Sequence, residues 1–106
     1  MIKVMLVCSA GMSTSLLVTK MNTAAVKNGI DVTIFAVAEA DAKRQFDEVD
    51  VVLLGPQVRF LLPKMKELLE PKGIPVDVIN GMDYGMMNGE KVLNQALELM
   101  KRGEES

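Results

Sequence analysis

Ile2-Lys3-Val4-Met5-Leu6-Val7-Cys8-Ser9-Ala10-Gly11-Met12-Ser13-Thr14-Ser15 opens the chain with an apolar run, a cysteine, and then a stretch of small and hydroxyl-bearing residues. The run Ile2 to Val7 reads as a strand apolar enough to be covered on both faces. From about Ser13 to Lys27 the pattern turns helical, and Asn28-Gly29 supplies a natural left-handed stop. Further along, short β-branched runs continue to alternate with longer segments of helical period, as expected when parallel strands are joined by helical crossovers. The remaining strands are Val32 to Val37, Val51 to Leu54 and Val76 to Ile79. A second, weaker helix covers about Glu39 to Phe46. A third carries Val58, Leu61, Leu62, Met65, Leu68 and Leu69 at helical spacing, with Pro63 kinking or restarting it and Gly73 ending it. The last follows Asn88-Gly89 and aligns Val92, Leu93, Ala96, Leu97 and Met100 on one stripe. Residues 103–106 read as a polar, frayed tail.

The expected fold is therefore α/β: an open four-stranded parallel sheet in the order 2-1-3-4, helices on both faces, with a phosphate-binding loop after strand 1. The chain has 106 residues, enough for a single domain spanning 1–106, with no internal repeat or linker. In this topology the loops after strands one, three and four share one edge of the sheet, where such folds bind ligands.

Composition narrows the function. The net charge is −2, with one Tyr and no Trp, which argues against a nucleic-acid surface with its basic face and stacking aromatics. There is no histidine, which removes Cys/His and Ser/His nucleophile pairs and most transition-metal sites; no metal and no cofactor are expected. No apolar run approaches the roughly 20 residues that cross a bilayer, and the N-terminus reads as a strand rather than a signal peptide. With one cysteine and no disulfide framework, the expected location is the cytoplasm.

The chemistry concentrates in the first loop. Consecutive backbone N–H groups between a strand and a helix form a concave donor array, the helix terminus adds positive potential, and Gly11 permits turns a Cβ would hinder. Cys8 is the candidate nucleophile, because a thiol beside such an array has its thiolate favoured. Ser9, Ala10, Gly11, Met12, Ser13, Thr14 and Ser15 are the candidate phosphate-binding residues. The plainer alternatives are that Cys8 is a small buried hydrophobe and Ser13 an ordinary helix N-cap. A cysteine phosphatase of the low-molecular-weight type carries an arginine six positions after its nucleophile; here that residue is Thr14. Without a loop cation, a thiophosphate is cradled by neutral donors while its attack by water receives little help, as a carrier requires.

Cys8 to Ser15 after an N-terminal strand, together with Asp50-Val51-Val52-Leu53-Leu54-Gly55-Pro56-Gln57 and Tyr84-Gly85 before a final helix, resembles the enzyme IIB component of the lactose/cellobiose class of the bacterial sugar phosphotransferase system. The likeness covers essentially the whole chain. It implies a phosphotransferase in which Cys8 accepts a phosphoryl group from phosphohistidine on the IIA component. Cys8 then passes it to a disaccharide of the cellobiose or diacetylchitobiose kind, held by the membrane component IIC. The implied partners are thus IIA and IIC, with no nucleic acid and no direct membrane insertion; IIC brings the protein transiently to the inner face of the membrane.

Gly55, Pro56 and Gln57 either wall the site or simply turn the chain from strand to helix. Tyr84 is assigned to packing or partner contact, and Asp83 to a surface turn. Met12, Met86 and Met87 fall on the active edge as a docking patch of adaptable side chains, with Arg59 adding charge or standing as a solvated helix residue. Three other classes share features with the chain. A response-regulator receiver needs an aspartate at the end of strand three, where the chain has Leu53-Leu54-Gly55. A flavodoxin-like flavin module has a loosely similar loop but five strands and flanking aromatics. A phosphatase would turn over an aryl phosphate continuously.

Overall fold

Four strands form one all-parallel sheet: β1 (Ile2–Cys8), β2 (Val32–Ala38), β3 (Val51–Leu54) and β4 (Val76–Val78), in the spatial order β2-β1-β3-β4. The computed structural model describes residues 2–9 and 12–105, without the side chains of residues 12–14 and 103–105. The order matches the one expected from right-handed crossovers. β1 is central and longest, and its residues Val4 to Val7 are fully buried, which is why its sequence shows no polar face.

The two faces of the sheet are covered differently. On the first, Val4, Leu6, Val51 and Leu53 pack against Leu17, Met21 and Ala25 of α1 (Met12–Lys27) and against Val92, Leu93 and Ala96 of α5 (Gly89–Glu105). On the second, Met5, Val7, Val52 and Leu54 meet Ala42, Phe46, Val58, Leu61, Met65 and Leu69. That face is built from short pieces: α2 (Glu39–Ala42), 3-10 turns at Lys43–Glu48 and Pro56–Leu61, and α3 (Leu62–Leu69) followed by a 3-10 turn at Glu70–Lys72. Pro63 restarts rather than kinks the helix: it lies in the first turn of α3, where its missing N–H has no partner to lose. Val58, at φ −119°, breaks the helical geometry ahead of it.

Several boundaries move from their sequence expectation. β1 extends one residue to take in Cys8, paired with Ala38 of β2, so the cysteine is the last residue of a strand instead of the first of a loop. β4 stops at Val78: the Ile79 N–H still bonds Leu54 O at 2.8 Å, but Asn80 already begins a helix cap. That helix, α4 (Gly81–Gly85), was not foreseen; Asn80 Oδ1 accepts from the N–H groups of Met82 and Asp83 at 3.0 and 3.1 Å. The backbone of α5 stays helical through Gly103–Glu105, where the sequence read as tail.

One contact holds the first face together. A Cβ at Gly89 would lie 2.6 Å from Lys20 O and Met21 N of α1, so the start of α5 rests directly on the backbone of its neighbour. No other residue type fits there without moving a helix.

Candidate functional site

The carboxyl edge of the sheet gathers the ends of all four strands. Cys8 closes β1, Ala38 closes β2, Gly55 follows β3, and Tyr84 sits in α4 just beyond β4. Cys8 is buried, 1 % exposed, and its thiol donates to Val37 O of β2 at 3.6 Å. The sulfur therefore leans towards β2, and the bond it makes needs the S–H. Ser9, next in the chain, is exposed.

Of the loop residues singled out in the sequence, Ala10 and Gly11 lie outside the described residues. Met12, Ser13 and Thr14 form the first turn of α1, so their backbone is helical from the outset. Ser15 is exposed, and its carbonyl accepts the Thr19 hydroxyl at 3.2 Å. The amino end of a 16-residue helix thus follows shortly after Cys8 in the chain.

The loop after β3 is tied to this centre by backbone. The Gly55 N–H donates to Val7 O at 2.9 Å, prolonging the β1–β3 ladder by one rung and bringing Gly55 level with Cys8. A Cβ on Gly55 would lie 2.6 Å from Gln57 Oε1 and 3.4 Å from Val7 O. The Gln57 carboxamide thus folds back over Gly55, and only a residue without a side chain leaves it that room. Its Nε2 donates to the Tyr84 hydroxyl at 2.9 Å. Gln57 and Tyr84, which stand 27 positions apart in the chain, are joined across the edge.

Positive charge comes from outside the loop. A cleft of about 420 Å³ beside Ser9 is lined by Ala38, Glu39, Lys43, Lys64 and Met65 among others, so two lysines from the second face flank Ser9. Neither is in the first loop, which is why the sequence read locally as lacking a cation. Asp83 instead lines a separate groove along α5 with Lys91 and Gln95, in keeping with a surface position.

Exposed apolar side chains ring the same edge. Leu16 of α1, Phe60 after β3, and Met82 and Met86 around α4 are all at least half exposed, Met82 reaching 74 %. Met86 was expected there; Met87 was not placed correctly, because it packs half-buried against the first-face core with a left-handed φ of 54°. The side chain of Met12 lies outside the described residues. Arg59 is exposed. Phe60, Leu16 and Met82 escaped notice because an isolated apolar residue in an amphipathic sequence reads as core.

The family model for the PTS system, Lactose/Cellobiose specific IIB subunit, matches residues 3–95. The chain belongs to that family. It is a phosphotransferase of the sugar phosphotransferase system, and the matched segment includes Cys8, Gly55 to Gln57 and Tyr84. Two relatives from Lactococcus lactis, the galactose-specific EIIB component and the cellobiose-specific EIIB component, are each 50% identical over 100 residues, covering 90% of this chain and 93% of theirs. Among solved structures, the cellobiose-specific phosphotransferase IIB component of Borrelia burgdorferi aligns with a TM-score of 0.80 at 46% identity, covering 96% of this chain and 94% of that one. The four-stranded parallel order described above is that of this family. Among the described residues no helix is long and apolar enough to cross a membrane.

Proposed function

We propose that this IIB component carries its phosphoryl group on Cys8, taking it from phosphohistidine on a IIA component and giving it to a disaccharide of the cellobiose or diacetylchitobiose kind bound in IIC. The observation that carries the reading is the position of the single cysteine, as the last residue of the central strand at the carboxyl edge of a parallel sheet. It stands one short loop before a long helix. Such a loop and helix start offer N–H donors and positive potential to an anion. The cellobiose class is supported by the cellobiose-specific names of relatives aligned along nearly the whole chain.

In the first step the Cys8 sulfur forms a bond to phosphorus as the phosphorus–nitrogen bond to the donor imidazole breaks. The thiol proton ends on that imidazole nitrogen, directly or through water. In the second step a sugar hydroxyl oxygen attacks the same phosphorus, the sulfur–phosphorus bond breaks, and the sulfur recovers a proton. The backbone of residues 9–15 and the hydroxyls of Ser9, Ser13, Thr14 and Ser15 hold the phosphoryl oxygens. No arginine is set to stabilise attack by water, so the intermediate persists long enough to meet the acceptor.

The exposed ring of Leu16, Phe60, Met82 and Met86 is the docking surface for IIA and IIC. Both meetings are transient, which fits an interface below about 1,200 Å². The protein works in the cytoplasm and reaches the inner face of the membrane through IIC. Intact-protein mass spectrometry tests this directly: with phosphoenolpyruvate, enzyme I, HPr and matching IIA, the wild type gains one phosphoryl group and Cys8→Ser gains none. An adduct of equal yield on Cys8→Ser contradicts the assignment, and continuous release of inorganic phosphate without a sugar supports a phosphatase instead.

A further inference from the structure

We propose that Gln57 is a phosphoryl-contacting residue, held by Tyr84 so that its carboxamide donates to an oxygen of the group carried on Cys8. This rests on the assignment of Cys8 as the phosphoryl carrier. The placement comes from register. Even-numbered β1 residues Val4 and Leu6 face the first core together with Val51 and Leu53 of β3, and Gly55 prolongs β3 by one bonded rung. Alternation then puts the Cys8 side chain and the missing Cβ of Gly55 on the same face, one strand spacing apart, about 4.8 Å. A Cβ there would lie 2.6 Å from Gln57 Oε1, closer than van der Waals contact allows. The carboxamide is therefore beside the nucleophile, on its own side of the sheet.

The two neighbours of the sulfur have opposite chemistry. On the β2 side Val37 O accepts from the thiol at 3.6 Å; once the proton is gone the sulfur has nothing to offer that carbonyl. On the β3 side the carboxamide has both a carbonyl and two N–H groups. With the thiol protonated, Nε2 donates to Tyr84 Oη and Oε1 lies over Gly55. A phosphoryl group on Cys8 brings negative oxygens to that side. A half turn of the carboxamide then presents N–H to phosphate and C=O to the Tyr84 hydroxyl, which both accepts and donates. The Gln57–Tyr84 pair survives the turn, and Tyr84 acts as the positioning residue. Gly55 is what makes the arrangement possible, since its φ of −61° suits any residue and only the missing side chain gives Gln57 its place.

The test uses the full protein with phosphorylated IIA as donor and follows the rate of phosphoryl arrival on Cys8 by quenched mass spectrometry. Gln57→Leu is expected to slow transfer about tenfold to a hundredfold, the range for losing a hydrogen bond to a charged group. Gln57→Glu, which keeps the shape but sets a carboxylate against phosphate, slows it more. Gly55→Ala, which leaves Gln57 in the sequence but takes its place, slows it like Gln57→Leu. Tyr84→Phe gives a smaller loss that vanishes in the Gln57→Leu background, as expected if Tyr84 works through Gln57. On phosphorylation the Gln57 side-chain amide resonances move in the wild type, whereas Cys8→Ser, given the same donor, shows no shift. Transfer by Gln57→Leu at the wild-type rate, or unmoved Gln57 amide resonances in the phosphorylated wild type, overturns the proposal and leaves Cys8 standing. No adduct on the wild type overturns the carrier assignment itself, and this inference with it.

Discussion

The two ends of the same sheet differ in what they expose. At the amino end the exposed groups are ionic: Lys72 pairs with Asp47 at 2.7 Å, and the Lys3 N–H donates to the Asp50 carboxylate at 2.8 Å. At the carboxyl end Leu16, Phe60, Met82 and Met86 are exposed near a buried cysteine, alongside the exposed Lys43 and Lys64 near Ser9. Both ends close the same four strands, so the fold does not demand the difference. On the proposed reading, apolar exposure is tolerated at the end where the phosphoryl group and the partner proteins meet.

Five variants and one control break or sharpen that contrast. The largest effect belongs to Cys8→Ser: phosphoryl acceptance disappears in the mass assay while the urea midpoint stays near that of the wild type, because the hydroxyl is close in size to the thiol and can still donate to Val37 O. Next is Gly89→Ala, which drives a methyl into the backbone of Lys20 and Met21. Urea unfolding should show a loss of about 2–3 kcal/mol, in the range of overpacked interiors, and an unchanged midpoint would mean that the two helices are free to move apart. At the carboxyl rim, Phe60→Ala combined with Met86→Ala should raise the concentration of phosphorylated IIA needed for half-maximal rate about thirtyfold, from two apolar contacts each worth roughly 1 kcal/mol. Steady-state transfer assays should show the limiting rate unchanged. An equal rise for Val26→Ala, which is exposed far from the edge at 81 %, would erase the distinction. At the amino end Asp50→Ala should cost about 1 kcal/mol of stability for the lost acceptor, seen by urea titration, with transfer unaffected. Smallest of all, Lys72→Ala should leave both the urea midpoint and transfer where they were, as for most exposed ion pairs.

Much of this was legible in the sequence, for identifiable reasons. The central strands β1 and β3 stand out because they are buried nearly throughout and show no polar alternation, and the half-buried edge strands β2 and β4 show in their β-branched residues. Their order is one expected of right-handed crossovers in a doubly wound sheet. Cys8 stands out because the residues after it are small and hydroxyl-rich. What escaped reading depends on distance or on scale. The helix Gly81–Gly85 is shorter than two turns, too short to show a period, and only the Asn80 cap marks it. The bond between Gln57 and Tyr84 joins two loops that only the β1-β3-β4 order brings together. Lys43 and Lys64 approach Ser9 from two separate pieces of the second face, so no local motif contains them. Gly89 reads as a turn glycine after Asn88; its closer role, letting α5 touch α1, is a property of packing.

The phosphorus-31 spectrum of the protein after incubation with phosphorylated IIA, collected for the wild type and for Cys8→Ser, is the most direct test of where the phosphoryl group resides. A single resonance of a sulfur-bound phosphoryl group in the wild type, absent from Cys8→Ser and lost on adding IIC with a cellobiose-type sugar, is the expected result. A resonance in the oxygen-bound region that persists in Cys8→Ser would contradict the assignment of Cys8 as the carrier.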